Sequence, residues 1–157
     1  MDKIRIGGIM QNGHLALLNV TDLPDRPGIA AAILGELGNR SINVQFIVQC
    51  LDQDRQAQVA LCVDRDDLAS ALDAIDHVAP GLEAGRVIPH PEAAIVSIFG
   101  PDFRERPGIA GTMFEALARA GINIMAISTS ISTVSCVIGS EYLEAALSSL
   151  RQTFDLP

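Results

Sequence analysis

Apolar runs alternate along the chain with segments in which apolar residues recur every three or four positions. The runs LALLNVTDL, INVQFIVQC and AQVALCV are rich in aliphatic and β-branched residues, which is typical of strands. Between the first two runs, Ile29, Ile33 and Leu37 have the spacing of one helix face. The segment RDDLASALDAI predicts a second helix with acidic residues in its first turn. This part of the chain therefore predicts strand, helix, two strands and helix.

The same order of elements returns in the second half of the chain. The runs AAIVSIFG, INIMAISTS and TVSCVIG predict strands, and Ile109, Met113 and Leu117 have helical spacing. A last helix is predicted over SEYLEAALSSLRQTF, with its Ser as the cap. Pro27 and Pro107 predict the first turn of the earlier helix in each half.

Each of these earlier helices also carries a predicted end. The helix of the first half is predicted to end near Gly38-Asn39 and that of the second half at Gly121, because glycine and asparagine tolerate a positive φ.

The two halves are copies of one another. The stretch Arg-Pro-Gly-Ile-Ala follows Asp25 and occurs again after Glu105. When 26–50 is laid over 106–130 without gaps, nine of the twenty-five positions are identical. Chance alone would give about one or two identities, and the period is too long for a solenoid. The chain is therefore predicted to hold two small duplicated domains.

A fourth strand would complete a ferredoxin-like βαββαβ arrangement in each copy. The first copy has it in GRVIPH, whereas in the second copy FDLP follows the last helix directly. The spare strand KIRIGGIM at the start of the chain is predicted to complete the second copy. The predicted fold is thus α+β with two ferredoxin-like domains, the first inserted in the second: 14–90, and 1–13 plus 91–157.

Composition excludes several classes of protein. Hydrophobic residues make up 48% of the chain and the mean hydropathy is +0.30, so we expect a buried core rather than disorder. A net charge of −8 without a basic cluster argues against nucleic-acid binding. The sequence lacks a long apolar segment, which argues against a membrane span or a signal peptide. Cys50, Cys62 and Cys136 are predicted to be buried free thiols in a reducing cytoplasm.

Longer motifs in both halves resemble a known family. The first is an apolar strand followed by PDRPGIA and, after a helix, by INVQFIVQ. The second is VSIFGPDFRERPGIAGTMFEALARAGINIMAISTS with SCVI downstream. Together they resemble the tandem ACT-domain regulatory region of aspartate kinase, and IGGIMQNGHLALL resembles the strand that leads into that region. The resemblance covers essentially the whole chain.

The resemblance implies a regulatory protein without a catalytic domain, either a β subunit of aspartate kinase or a free-standing ACT-domain protein. It implies an amino-acid ligand, lysine or threonine, a homodimer, and a catalytic kinase subunit as partner. No cofactor or metal is expected, since His14, His77 and His90 lack metal-ligand spacing. We find no pairing of a nucleophile with a base, so catalysis is not expected either.

The chemistry of the repeated loop fits such a ligand. A Pro-Gly at a strand-to-helix junction leaves N–H groups free along the helix dipole, where a carboxylate can bind. Asp25 can accept hydrogen bonds from an α-ammonium group. The residues alone favour the simpler interpretation that Pro-Gly is only an efficient helix start.

The resemblance implies a set of site residues. They come from the first loop, from the end of the second strand, and from the second copy of the partner subunit. They are Asp25, Gly28, Ile29, Ala30 and Gln49, with Asn123, Ile124 and Met125 of the partner subunit, and Asn43 as the counterpart of Asn123. Either asparagine can instead be a turn residue that satisfies its own backbone.

Two stretches depart from the family pattern. Ile131-Ser132-Thr133 follows ISTS, and Cys50 follows Gln49. The second copy's loop, PDFRERPG, is also three residues longer than PDRPG, which predicts an unequal site. A structural dimerisation module that has lost ligand binding is therefore the alternative function.

Overall fold

Two long strands replace pairs of shorter ones predicted from the sequence. Strand β1 (Gly8–Leu23) includes part of KIRIGGIM and all of LALLNVTDL. Strand β4 (Arg86–Phe99) likewise joins GRVIPH to AAIVSIF. The polar stretch QNGH resembles a turn, yet in the structure it is extended. Strand β1 is hydrogen-bonded to the strand at Ala57–Asp64 and to β4, and strand pairing of this kind can outweigh a local turn preference.

The computed structural model describes residues 2–83, 85–101 and 103–157. Met1, Ala84 and Asp102, which the predicted domain ranges include, lie outside the described residues. The chain divides into a first unit, His14–Glu92, and a second unit, which comprises Met1–Gly13 and Ala93–Pro157. Strands β1 and β4 each contribute residues to both units.

The first unit continues from β1 through helix α1 (Ile29–Asn39) and strands β2 (Phe46–Leu51) and β3 (Ala57–Asp64). A 3-10 turn precedes helix α2 (Leu68–Leu82), and the first part of β4 follows. The strand order is β2-β3-β1-β4. Since β3 pairs antiparallel with both neighbours, Leu17 and Phe46 lie opposite Cys62.

The second unit repeats this plan with helix α3 (Ile109–Arg119), strands β5 (Ala126–Thr129) and β6 (Thr133–Gly139) and helix α4 (Leu143–Thr153). Its strand order is β1-β4-β6-β5, so the start of β1 lies at one edge. Arg5, in the segment before β1, forms an isolated parallel bridge with Asp155. The α+β fold with two ferredoxin-like domains is confirmed.

Each unit has its own aliphatic core. Ile29, Ile33 and Leu37 face the core of the first unit, as their spacing predicted. In the second unit the equivalent residues of α3, with Ala116, face a core that includes Phe154. Burying such side chains contributes roughly 1.5–3 kcal/mol each, so each sheet is stabilised mainly by the two helices packed on it.

The prolines do not lie in the first helical turns, and this part of the prediction was wrong. Helix α1 begins at Ile29, two residues after Pro27, and α3 begins at Ile109, two residues after Pro107. Gly28 and Gly108 precede the helices with φ of 94° and 91°. The left-handed glycine, which no L-residue replaces without strain, thus sets the angle at which each helix leaves its strand.

The helix ends differ between the copies. Gly121 has a φ of 74°, as predicted, but in the first copy Ser41 takes this conformation with a φ of 58°. The N–H groups of Ser41 and Ile42 donate to the carbonyls of Gly38 and Leu37, which is a Schellman end. Helix α1 thus ends at Asn39, as predicted, but the left-handed residue is Ser41 rather than Gly38 or Asn39.

Two smaller predictions need correction. Ser140 lies in a 3-10 turn, Ser140–Tyr142, and makes no cap hydrogen bond to α4. Cys62 and Cys136 are buried free thiols, and burial raises the pKa of each to about 12. Cys50 is free but exposed, because it lies on the edge strand β2 rather than on a central strand.

Candidate functional site

The loop that precedes α1 starts from an irregularity at the end of β1. The pairing register between β1 and β3 shifts between Val20 and Leu23, and Asp22 has a φ of 56°. The amide of Asp22 donates to Gln58 Oε1 at 3.3 Å. Such an irregularity turns a strand out of its ladder, and Pro24 and Asp25 follow directly after the strand end.

The first turn of α1 presents backbone donors beside this loop. The carbonyl of Gly28 accepts from Ala32 N at 3.0 Å, and no side chain caps the helix. The amides of the first turn lack partners within the helix and lie at the positive end of its dipole. A Cβ placed on Gly28 would have no described atom within 4 Å. An anion such as a carboxylate can therefore approach these amides, which include those of Ile29 and Ala30.

Asp25 provides the charged group of the loop. Its side chain is 42% exposed, and its Oδ2 lies 3.8 Å from Nη2 of Arg55. Because Arg55 is 83% exposed, this ion pair is of the solvent-screened kind and contributes little to stability. The carboxylate of Asp25 therefore stays available to a ligand that offers better hydrogen bonds.

Arg26 attaches the loop to the second helix of the unit. Its Nη2 donates to the carbonyl of Gly81 at 3.1 Å, near the end of α2. A cation at the carboxyl end of a helix interacts favourably with the dipole and with unsatisfied carbonyls. Arg26 is thus a structural residue of the loop, and its charge points to α2 rather than to a ligand.

The turn between β2 and β3 lies at the same end of the sheet. Asp52 Oδ1 accepts from the amides of Asp54 at 2.8 Å and Gln56 at 3.0 Å. Its Oδ2 accepts from Gln58 Nε2 at 2.9 Å. These bonds, that of Gln56 first, hold the pKa of Asp52 below its ordinary value. Gln58 therefore links this turn to the bulge that begins the loop.

Gln49 shares this sheet end with the loop, whereas Asn43 does not. Gln49 lies opposite Val59, which in turn lies opposite Val20 of β1. With β3 between them, β1 and β2 are about 10 Å apart. Asn43 precedes β2 at the other end, where Phe46 pairs with Cys62 and Cys62 with Leu17. Both Gln49 and Asn43 are exposed.

The three remaining predicted residues belong to the second unit. Asn123 is exposed, and Ile124 is half-buried against the core of that unit. The amide of Met125 donates to Val137 O at 2.8 Å, so it already serves the sheet. Asp25, Gly28, Ile29 and Ala30 thus lie together with Gln49 nearby, while Asn43 and Asn123–Met125 lie elsewhere.

Both halves of the chain match the ACT domain family, at residues 16–78 and 96–154. The aspartokinases of Pseudomonas aeruginosa and Thermus thermophilus are each 38% identical, over 156 and 159 residues, and the match covers 99% of this chain. The crystal structure of the regulatory subunit of aspartate kinase from Thermus thermophilus is 34% identical, with a TM-score of 0.87, and covers 96% of this chain and 99% of that one. The aspartokinase alpha and beta subunits give a TM-score of 0.86 at 31% identity, over 94% and 97% of the two chains.

The chain belongs to the ACT-domain regulatory regions of aspartate kinase. It spans 38% of the length of the curated aspartokinases that it matches. The regulatory subunits are matched over nearly their full length. The family resemblance and the assignment to a regulatory, non-catalytic part are confirmed.

The second ACT copy of this regulatory region has a feature that sequence reasoning missed. A depression of about 260 Å³ lies where the start of α3 faces the end of β5, and its lining includes Arg106, Gly108, Thr129 and Ser130. The repeated glycine was the indication available in the sequence. That the longer loop makes the two sites unequal stays a prediction.

One cluster in the first ACT copy has the donor atoms of a metal site. Ligand atoms of His14, Asp64 and Asp66 lie within 4.8 Å of one another. Each already has a local role, because His14 Nε2 is 2.9 Å from Asp66 Oδ1 and the Asp64 side chain caps the 3-10 turn before α2.

Among the described residues, no helix is long and apolar enough to cross a membrane.

Proposed function

We propose that this chain is the amino-acid sensor of a cytoplasmic aspartate kinase, with its ligand at the loop before α1. The observation that supports it most directly is the juxtaposition of Asp25 with the uncapped first turn of α1 behind Gly28. An α-amino acid carries an ammonium and a carboxylate two bonds apart, and the loop offers an acceptor for one and amide donors for the other.

The proposed site combines two chains. Asp25, Gly28, Ile29, Ala30 and Gln49 come from one chain. Asn123, Ile124 and Met125 come from the partner subunit, with Asn43 in the equivalent place of the first copy. Asn43 lies at the sheet end opposite the loop of its own unit, so it does not complete that loop within the unit.

The remaining assignments follow from the family. Lysine or threonine is the proposed ligand, and a catalytic aspartate kinase subunit is the proposed partner. Binding then shifts the partner's equilibrium between states, and the partner must change the ligand affinity by the same factor. The domain limits 14–90, and 1–13 plus 91–157, with the first domain inserted in the second, stay part of the proposal.

The test is thermal unfolding in the presence of each of the twenty amino acids. A ligand at 100 times its dissociation constant stabilises the folded state by about 2.7 kcal/mol, which raises the melting temperature by several degrees. Asp25→Asn should weaken that ligand about tenfold or more, because a charged hydrogen bond is lost. Glu105→Gln is the matched control, since Glu105 precedes the same Arg-Pro-Gly-Ile-Ala in the second copy. Absence of any shift would rule out the sensor.

The alternative is a dimerisation module without a ligand. Ile47 on β2 and Ile127 on β5 are equivalent residues on edge strands, and they are 38% and 43% exposed. Exposed apolar side chains on an unpaired edge favour association. Sedimentation of an Ile47→Lys variant tests this function: loss of the dimer, together with no thermal shift of the unmodified chain by any amino acid, would favour the module alone.

A further inference from the structure

A positive charge lies beside the atom that would hold the ligand's ammonium group. The guanidinium of Arg55 is 3.8 Å from Asp25 Oδ2, at the tip of the turn between β2 and β3. Arg26, the other arginine next to Asp25, donates to the end of α2 instead. Arg55 is therefore the cation that a ligand on Asp25 meets.

The backbone, and not only the ion pair, holds Arg55 in place. The amide of Arg55 donates to the carbonyl of Asp52 at 3.0 Å. The amide of Asp52 in turn donates to the carbonyl of Gln56 at 2.9 Å. The Asp52 side chain adds bonds to the amides of Asp54 and Gln56. Arg55 has a φ of 61° at the tip of this closed turn. Its side chain can move, but its Cα stays close to the loop.

The register of the sheet brings the turn to the loop. Leu51, the last residue of β2, pairs with Ala57, and Ala57 pairs with Leu23, the last residue of β1. The turn after Leu51 and the loop after Leu23 therefore leave the same end of the sheet. Contact between Arg55 and Asp25 is a consequence of this register.

The second copy has no comparable cation in its turn. There the residues between β5 and β6 are Ser130, Ile131 and Ser132, and Ile131 is 68% exposed. The charge in the first copy is thus not a requirement of the fold, because an uncharged turn closes the equivalent hairpin. This difference points to a role for Arg55 in what the first loop binds.

We propose that Arg55 is a specificity-determining residue that makes the first loop prefer amino acids with uncharged side chains over those with cationic side chains. The inference rests on the proposed function, in which Asp25 accepts the α-ammonium group. Arg55 competes with that ammonium for every ligand alike. A second cation on the ligand, such as the ammonium of lysine, is in addition repelled by the guanidinium, and threonine is not.

The test is titration calorimetry of threonine and lysine with the dimeric chain. In the unmodified protein we expect threonine to bind more tightly than lysine. In Arg55→Gln the ratio of the lysine to the threonine dissociation constant should fall by roughly two- to fivefold, the size of an exposed charge interaction. Arg55→Lys keeps the charge and should keep the ratio. The effect should shrink as salt is raised from about 0.05 M to about 0.5 M.

Two further variants locate the effect. Arg119→Gln removes an exposed arginine that pairs with Glu115 at 3.7 Å in the second unit, and it should leave the ratio unchanged. Asp54→Asn changes the other charge at the tip of the turn. An equally large change of the ratio in this variant would assign the preference to the net charge of the turn and overturn the role of Arg55.

The remaining outcomes separate this inference from the proposed function. Tighter binding of lysine than of threonine, or an unchanged ratio in Arg55→Gln, would overturn the role of Arg55 and leave the sensor intact. Binding of neither amino acid, together with no thermal shift by any other, would overturn both.

Discussion

The two ACT units share a backbone plan but differ in the side chains at their sheet ends. Both start their first helix after a left-handed glycine, Gly28 or Gly108, and end it with a Schellman bond pattern. The first unit has the loop with Asp25 and a turn held by Asp52, whereas the second has a longer loop and a turn of Ser130, Ile131 and Ser132. Backbone geometry is thus common to both copies, and candidate chemistry is particular to each.

This difference shows where a duplicated domain can vary without loss of the fold. Leu37 and Leu117 are equivalent and fully buried, so each is required by its core. Asp25 and Arg55 are exposed, and neither fills space in the core. Substitution of either buried leucine should therefore lower the free energy of unfolding. Substitution of Asp25 or Arg55 should instead alter ligand binding in the first unit.

The largest expected effect concerns the equivalent core leucines. Leu37→Ala and Leu117→Ala should each lower the free energy of unfolding by about 2–5 kcal/mol, since each leaves a cavity in a fully buried site. Urea unfolding followed by circular dichroism measures both. A loss of less than about 1 kcal/mol at either position would mean that the two cores are not equivalent.

The next effect separates stability from binding. Gly28→Ala and Gly108→Ala should each cost about 1–2 kcal/mol, because alanine is strained at these φ values. No described atom lies within 4 Å of the added Cβ, so the cost is that of the backbone alone. Only Gly28→Ala should also reduce the thermal shift given by an amino acid. An equal reduction in Gly108→Ala would show that both loops bind the ligand.

A smaller effect of opposite sign is expected at the helix ends. Ser41→Gly should raise the free energy of unfolding by about 0.5–1 kcal/mol, because glycine relieves a positive φ at some entropic cost. Gly121→Ser should lower it by about 1 kcal/mol at the equivalent position. Thermal and urea unfolding of the two variants measure these changes. The same sign in both would contradict the equivalence of the two ends.

The smallest effect is local and depends on pH. The pKa of Asp52 is lowered in the folded state, chiefly by the bond from the Gln56 amide, so its contribution is present above its ordinary pKa. That contribution is lost as the pH falls through the lowered value, below about pH 4. Hydrogen exchange at the amides of Asp54 and Gln56 should then accelerate relative to intrinsic rates, while exchange at Ser130 should not.

Asp52→Asn is the control for this last prediction. It should make exchange at Asp54 and Gln56 faster at neutral pH and remove the additional acceleration in acid. Parallel behaviour of the Ser130 amide, which donates to Thr133 O in the second unit, would indicate general loosening rather than titration of Asp52.

Most elements were predictable because their patterns are local. Ile29, Ile33 and Leu37 predicted a helix face, and the structure buries all three. The errors lie where the chain changes direction. Pro27 was placed in the helix because proline favours a first turn, but Gly28 takes a left-handed φ and starts the helix later. The position of a positive φ depends on how the helix must pack, which no single residue type reveals.

Of the candidate site, only the residues in the loop before α1 could be predicted from the sequence and found together. Asp25 and Gly28 were found through their motif, and they lie in one loop. Arg55 was not found, because it is 30 residues from Asp25 in the chain and belongs to no motif. Its proximity depends on the pairing of Leu23 and Leu51 with the same residue, Ala57.

The sequence alone determined the duplication, the α+β class and the family, since each of these depends on identities and periodicities within short segments. Only the tertiary structure decided that β1 and β4 are unbroken strands, that Cys50 is exposed, and that Arg55 meets Asp25. The physical reason is the same in all three cases. Strand pairing between distant segments sets which backbone groups are satisfied and which side chains meet, and its energy exceeds the local preferences that a sequence displays.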